Sequence, residues 1–184
     1  MAAKATIIKV RLHIADMDRH YYQDHSLTVA QHPSENSARV MVRLLAFALN
    51  ASDTLTFGQG LSSESDDPEL YERSLADEIE LWVEFGQSDE KWLRKACGRA
   101  KKVQLFAYGG RSVPIWWEQN QRAFERYRNL QVWEISEEAV SAMAELLTRT
   151  MSLQCNISEG QVWLAQGEEA VTVEPVLLKD YSNH

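Results

Sequence analysis

The chain has 184 residues, 45% of them hydrophobic and 25% charged, which suits one globular domain over 1–184 with a full core. Nineteen basic against 27 acidic residues leave a net charge of −8, which excludes coating of nucleic acid by bulk charge but not a local basic patch. No run of about 18 apolar residues predicts a membrane span, and the first residues carry no secretory pattern, so a cytoplasmic location is expected.

Cys97 and Cys155 are too few for a disulfide framework and form no CxxC pair. Reduced, buried thiols are expected. His13, His20, His25 and His32 have spacings that fit no zinc pattern.

Residues 6–14 alternate, with Ile8, Val10, Leu12 and Ile14 on one face and Lys9, Arg11 and His13 on the other. Residues 21–31 read as a second strand, making a hairpin across the polar turn Asp16–His20. A helix over 34–50 follows, with Ser34 as N-cap and Glu35 in its first turn. Val40, Met41, Leu44, Leu45 and Ala48 form its apolar face, and Glu35, Arg39 and Arg43 step along another. The stretch 59–68, rich in Gly, Ser and Asp, reads as a loop between short strands at 54–57 and 69–73. A clearer strand spans 79–85, with Ile79, Leu81, Val83 and Phe85 facing one way and Glu80, Trp82 and Glu84 the other. Ser88 is expected to cap a helix to Arg99, before a buried strand at 103–108. Then come a helix over 114–126, a strand over 131–135 and a helix from a Ser136 cap to Leu147. Strands at 150–157, 160–165 and 170–178 complete the chain.

The expected class is α/β, a mixed sheet with flanking helices elaborated by antiparallel strands at both ends. The order helix, three-stranded meander, helix, strand is that of the PD-(D/E)XK nuclease-like core. Pro68-Glu69 and Glu84-Phe85-Gly86 resemble that family's two acidic elements, and Glu35 its helical carboxylate. Two carboxylates on adjacent strand ends, Glu69 and Glu84, suit one hard cation such as Mg²⁺, which binds through few carboxylates and retains waters. The plain alternative is that these acids are solvated strand residues. Gly86 stands where the family has its Lys, so Gln87 or Lys91 is the expected substitute.

Five segments carry a closer resemblance: "AKATIIKVRLHIADMDRHYY", "HPSENSARVMVRLLAF", "IELWVEFGQSDEKWLRKAC", "FAYGGRSVPIWW" and "TMSLQCNISEGQVWL". Over nearly the whole length the chain resembles the YaeQ family of bacterial proteins. That resemblance implies a variation on the PD-(D/E)XK core, with nuclease activity inferred for it by likeness of fold.

Between Lys91 and Lys102 there are six basic residues, including Arg94, Lys95, Arg99 and Lys101, and no acidic one. They could meet phosphates, or simply complement the dipole of their own helix. Arg111, after Gly109-Gly110, could bind an anion at a helix start. Trp82, read as strand-exposed, could stack on a base. Of Trp116 and Trp117, one is expected in the core and one half-buried.

Two functions follow. One is a Mg²⁺-dependent nuclease or phosphodiesterase using Glu35, Glu69 and Glu84 with Gln87 or Lys91. The other is an inactive relative of that fold, binding nucleic acid or a protein partner through the basic helix and aromatics. No heptad seam is present, so a monomer is expected.

Overall fold

The computed structural model describes residues 4–58 and 68–182. The expected loop at 59–68 lies outside the described residues except for Pro68.

The hairpin forms as expected. β1 (Thr6–Asp16) pairs antiparallel with β2 (Tyr21–Gln31), with Thr6 opposite Gln31 and Asp16 opposite Tyr21. The turn is closed by Asp16, whose carboxylate accepts from the backbone of Asp18 and Arg19 and from Arg19 Nε at 2.8 Å.

α1 (Ser37–Asn50) is buried without interruption from Val40 to Ala48. It is not an amphipathic surface helix, because a sheet lies on each side of it. One sheet runs β10-β9-β8-β1-β2, using β8 (Thr150–Ser158), β9 (Gln161–Gln166) and β10 (Glu169–Val173). The other runs β11-β7-β6-β5-β4-β3. It uses β3 (Leu55–Phe57), β4 (Leu70–Arg73), β5 (Ile79–Phe85), β6 (Ala100–Ala107), β7 (Leu130–Glu134) and β11 (Val176–Lys179). α1 and α4 (Glu137–Glu145) fill the space between the sheets. Ile8, Leu12, Leu153 and Leu164 reach that layer from the first sheet, and Leu70, Val83, Phe85 and Phe106 from the second. α2 (Glu90–Arg99) and α3 (Ser112–Phe124) cover the far face of the second sheet, over Trp82, Val103, Leu105 and Val132.

The expected order of helix, meander, helix and strand is present. β3, β4 and β5 are antiparallel neighbours, and β6 returns parallel to β5 after α2.

Several local expectations are corrected. The N-cap of α1 is Asn36, not Ser34, and its Oδ1 accepts from the Arg39 N–H at 3.0 Å. Glu35 therefore precedes the helix. Asp89, one residue after Ser88, caps α2 by accepting from the Trp92 N–H. β6 begins at Ala100, so Lys101 and Lys102 lie on a strand and not on the basic helix. The Asn129 amide donates to the carbonyls of Cys97 and Ala100, which ends α2 there. Ile79 joins the α2–α3 side, apart from Val83 and Phe85. The β4–β5 register shifts next to it, as a bulge requires. The third tail strand is two strands in different sheets, parted at Glu174-Pro175, where proline removes a ladder donor.

Two outcomes follow from these positions. Asn36→Ala costs about 1 kcal/mol in chemical denaturation, whereas Ser34→Ala leaves the cap intact and costs less. Burial pushes both thiols up to about 12. At pH 8 neither Cys97 nor Cys155 is alkylated by iodoacetamide in the folded protein, and both react in denaturant, as read by intact mass.

Candidate functional site

Three of the expected acids converge where α1 meets the paired ends of β4 and β5 in the second sheet. Glu69 directly precedes Leu70, which pairs with Val83, and Glu84 directly follows Val83. Adjacent strand positions thus present the two carboxylates side by side. Glu35 arrives from the turn before α1, its Oε1 accepting from the His32 N–H at 3.0 Å.

Two arginines of α1 join them. Arg39 Nη2 donates to Glu69 Oε1 at 2.7 Å. Arg43, only 3% exposed, donates from Nη1 to Glu35 Oε2 at 3.1 Å and from Nη2 to the Ala30 carbonyl. Its Nη1 also lies 3.9 Å from Glu69 Oε2. Arg39 and Arg43 are one helical turn apart, so a single helix face delivers both cations. They belong to the site, yet the sequence reading assigned them no role there. The signal was available: two arginines four apart, the second inside a run that is otherwise wholly apolar.

Among the described residues four buried side-chain polar atoms lack a hydrogen-bond partner, and three are in this cluster: Arg39 Nε, Arg43 Nε and Glu69 Oε2. Unpartnered buried polar groups are expensive and tend to mark functional positions. A cavity of about 250 Å³ opens here, lined by Arg43, Glu69, Thr28, Ala30 and Phe57 among others.

Glu84 has a different environment. Its Oε1 accepts from Trp82 Nε1 at 2.6 Å, and the Trp92 side chain of α2 also hydrogen-bonds it. Burial pushes its carboxyl above the ordinary 4.5, opposed by the two indole hydrogen bonds. Repulsion from Glu69 raises it further, and Arg39 partly offsets this.

Gly86 adopts φ +93°, a conformation L side chains rarely take, so this backbone disfavours the Lys of the nuclease pattern. A Cβ at Gly86 would lie 3.9 Å from Arg39 Nη1. A cation therefore stands beside this position, supplied by α1 rather than by the strand.

The two expected Lys substitutes are placed otherwise. The Gln87 amide donates to Ser112 Oγ at 2.6 Å and to the Tyr108 carbonyl, tying it to the start of α3. Lys91 is exposed on the first turn of α2 and forms no ion pair with the three carboxylates.

Trp82 is corrected outright. It is 0% exposed, packed edge-on to Trp92 and covered by the Arg99 guanidinium, so no base can stack on it. The reason is that β5 is covered by a helical layer on both faces.

The basic stretch is largely engaged within the protein. Arg94 pairs with Glu90, Lys95 lies over Trp92, and Lys101 bonds Glu78 and Glu80. Lys102 lies over Tyr181. Arg111 occupies the N-cap position of α3 and gives it no side-chain cap. Trp116 is buried and Trp117 half-buried, as expected.

As a donor set for a metal, the cluster offers two neighbouring carboxylates. Glu69 Oε2 is the buried oxygen without a hydrogen bond. Mg²⁺ is commonly held by one or two carboxylates with waters, the donor type that Glu69 and Glu84 present, though Glu69 Oε1 is already bonded to Arg39. No group of three His, Cys, Asp or Glu side chains able to hold a metal occurs among the described residues.

The family model for the YaeQ protein matches residues 1–175. The chain belongs to the YaeQ family. It is 42% identical over 173 residues to "Uncharacterized protein YaeQ" of Escherichia coli (strain K12), covering 94% of this chain and 95% of the relative. The protein of the same name from Salmonella typhi is 41% identical over 174 residues, covering 95% and 96%. The crystal structure of YaeQ protein from Xanthomonas axonopodis pv. citri superposes with a TM-score of 0.92 at 44% identity, covering 96% of this chain and 99% of that one. That of YaeQ protein from Pseudomonas syringae gives 0.89 at 32% identity, covering 95% and 96%. No helix among the described residues is long and apolar enough to cross a membrane.

The raised carboxyl of Glu84 has a measurable consequence. The folded state holds this proton more tightly than the unfolded state does. Its contribution to stability is therefore full below the ordinary 4.5 and lost as pH rises through the raised folded value. Glu84→Gln removes the ionisation while leaving an acceptor for an indole. The variant should melt above the wild type at pH 8, with the gap closing as pH falls toward 5 in a differential scanning series.

Proposed function

We propose that α1 through β6 is a PD-(D/E)XK-type core and that the family uses it for metal-dependent hydrolysis of phosphodiester bonds. The observation that carries this reading is Arg39 beside Gly86, within reach of two acids at the expected strand ends. The element order and the parallel return of β6 support the core assignment.

Glu69 and Glu84 would hold a Mg²⁺ ion, which supplies Lewis-acid activation of water and of the phosphoryl oxygen. Arg39 lies where a cation can stabilise the charge that grows on the phosphate, which is the work of the family's Lys. Arg43 fixes the Glu35 carboxylate, and both are positioning residues for Glu69. Trp82 and Trp92 hydrogen-bond the Glu84 carboxylate, which orients it.

One observation favours a second reading. Glu69 is bonded to Arg39 and lies near Arg43, so the arginines already compensate much of the acidic charge. An inactive descendant of the fold that binds nucleic acid or a protein partner would keep such a cluster as a structural ion network.

Calorimetric titration with Mg²⁺ and Mn²⁺, followed by cleavage assays on single- and double-stranded substrates, separates the two. The catalytic reading expects metal binding and cleavage in the wild type and neither in Glu84→Gln. Arg39→Ala should bind metal but lose about 10²–10³-fold in rate, and Arg39→Lys should recover part of it. Absence of cleavage under all these conditions, with metal and substrate both present, overturns it in favour of the inactive descendant.

A further inference from the structure

Among the described residues no helix covers the outer face of the first sheet. Ile8, Val10, Leu12 and Ile14 are buried, which turns Lys9, Arg11, His13 and Ala15 outward. The registers on either side set these residues in rows across three strands. Lys9 lies between Thr28 and Thr150, and Arg11 between Ser26 and Ser152. His13 lies between Asp24 and Gln154, and Ala15 between Tyr22 and Asn156. The first two rows are thus each a cation flanked by two hydroxyls, and all six side chains are exposed.

Among the described residues neither Lys9 nor Arg11 has an ion-pair partner, unlike Arg94 and Lys101 of the basic stretch. The one acid in these rows, Asp24, is bonded to His13 Nδ1 at 2.9 Å. Two aromatic rings frame the last row. Tyr22 is 55% exposed, and Trp163, opposite Asn156 on β9, is 42% exposed. Two shallow depressions run along the face. One of about 580 Å³ spans the Lys9 and Arg11 rows, and one of about 520 Å³ spans the His13 and Ala15 rows.

We propose that this face binds single-stranded nucleic acid, with successive phosphates on the Lys9 and Arg11 rows and bases stacked on Tyr22 and Trp163. The rows are two residues apart, about 6.7 Å by strand rise, which suits successive phosphates of an extended nucleotide chain. The cations neutralise the phosphates, and Ser26, Thr28, Thr150 and Ser152 donate to their oxygens. Exposed rings stack on any base, but only a single strand offers its base faces. In a protein of net charge −8, Lys9 and Arg11 are cations without an ion-pair partner among the described residues, and they can draw phosphates to this face.

Thr28 lines both the larger depression and the cavity at Arg43 and Glu69. A strand lying on these rows therefore has a short route over the edge strand β2 to the carboxylates. That route rests on the catalytic reading above; the binding face does not.

The test is fluorescence anisotropy with labelled oligothymidylate in EDTA, so that neither metal nor cleavage enters. Binding should weaken with salt at a logarithmic slope of about −1.4, or about 0.7 for each of two phosphates. Lys9→Ala/Arg11→Ala should lose at least tenfold in affinity at low salt and flatten the slope toward zero. Tyr22→Ala and Trp163→Ala should each lose about tenfold with the slope unchanged. All four residues are exposed, and an unchanged melting temperature verifies folding. Arg94→Ala should bind as the wild type does. No binding by the wild type at low salt overturns the proposal, as does full binding by the double variant. Tighter binding to a duplex, or to phosphatidylglycerol vesicles, than to the single strand also overturns it. Binding here together with no cleavage in the metal-supplemented assay above counts only against the catalytic reading.

Discussion

A helix that is apolar on every side must be covered on every side, and α1 imposes that requirement on the rest of the molecule. Its nine consecutive buried residues from Val40 to Ala48 need two sheets to remove them from water. The first sheet supplies one cover through β1 and β8, and the meander with β6 supplies the other. Arg19 ties the hairpin to the far end of the helix by donating to the carbonyls of Ala48 and Ala51. Those carbonyls would otherwise end unpaired in a crowded interior. The turn after β1 is therefore both a hairpin closure and a C-terminal cap for α1.

Arg43 is the exception inside that buried run. A guanidinium in an apolar layer is tolerated only when its charge and donors are met. Glu35, placed by the His32–Glu35 turn, meets most of that need, and the Ala30 carbonyl meets more. The second arginine, one turn earlier, binds Glu69 and fixes the start of β4 against α1. The acidic positions of the site are thus held by the same helix that organises the core. Disturbing Arg43 would expose both functions of α1 at once, because Glu35 would be left charged and buried.

Much of this was legible in the sequence, and the failures have a common cause. Alternation in 6–14 gave the first strand and its inward face, and Ser136 was correctly read as the cap of α4. The order of helix, meander, helix and strand was read from the sequence, whereas the parallel pairing of β6 with β5 appears only in the structure. Trp82 was misread because alternation assumes one wet face, whereas β5 is covered on both. The single apolar face expected of α1 failed for the same reason, since Val40 to Ala48 are buried throughout. The end of α2 at Arg99 was read correctly, but the start of β6 at Ala100 was not, and it is fixed by Asn129, a residue too distant in sequence for a local pattern to include. Glu69 and Glu84 were singled out because both lie at strand ends, and Glu35 because it resembles the helical carboxylate of the nuclease core. The spacing of Arg39 and Arg43 was visible, but the placement of Arg39 beside Gly86 appears only when α1 is laid against the sheet.

Gly86 and Arg39 are best understood as one feature. The left-handed backbone at Gly86 lets its N–H reach the Phe106 carbonyl at 2.9 Å and turns the chain sharply toward α2. That turn brings Trp92 onto Glu84, which holds the carboxylate in a dry position. A lysine at Gly86 would force the backbone back toward an ordinary φ and loosen the contact between β5 and α2. On the nuclease reading proposed above, a positive charge carried by α1 avoids this conflict, since Arg39 reaches Gly86 with its own backbone in a regular helix. The glycine and the arginine therefore satisfy a single constraint: a cation beside two acids, on a strand whose end must turn too tightly to carry one.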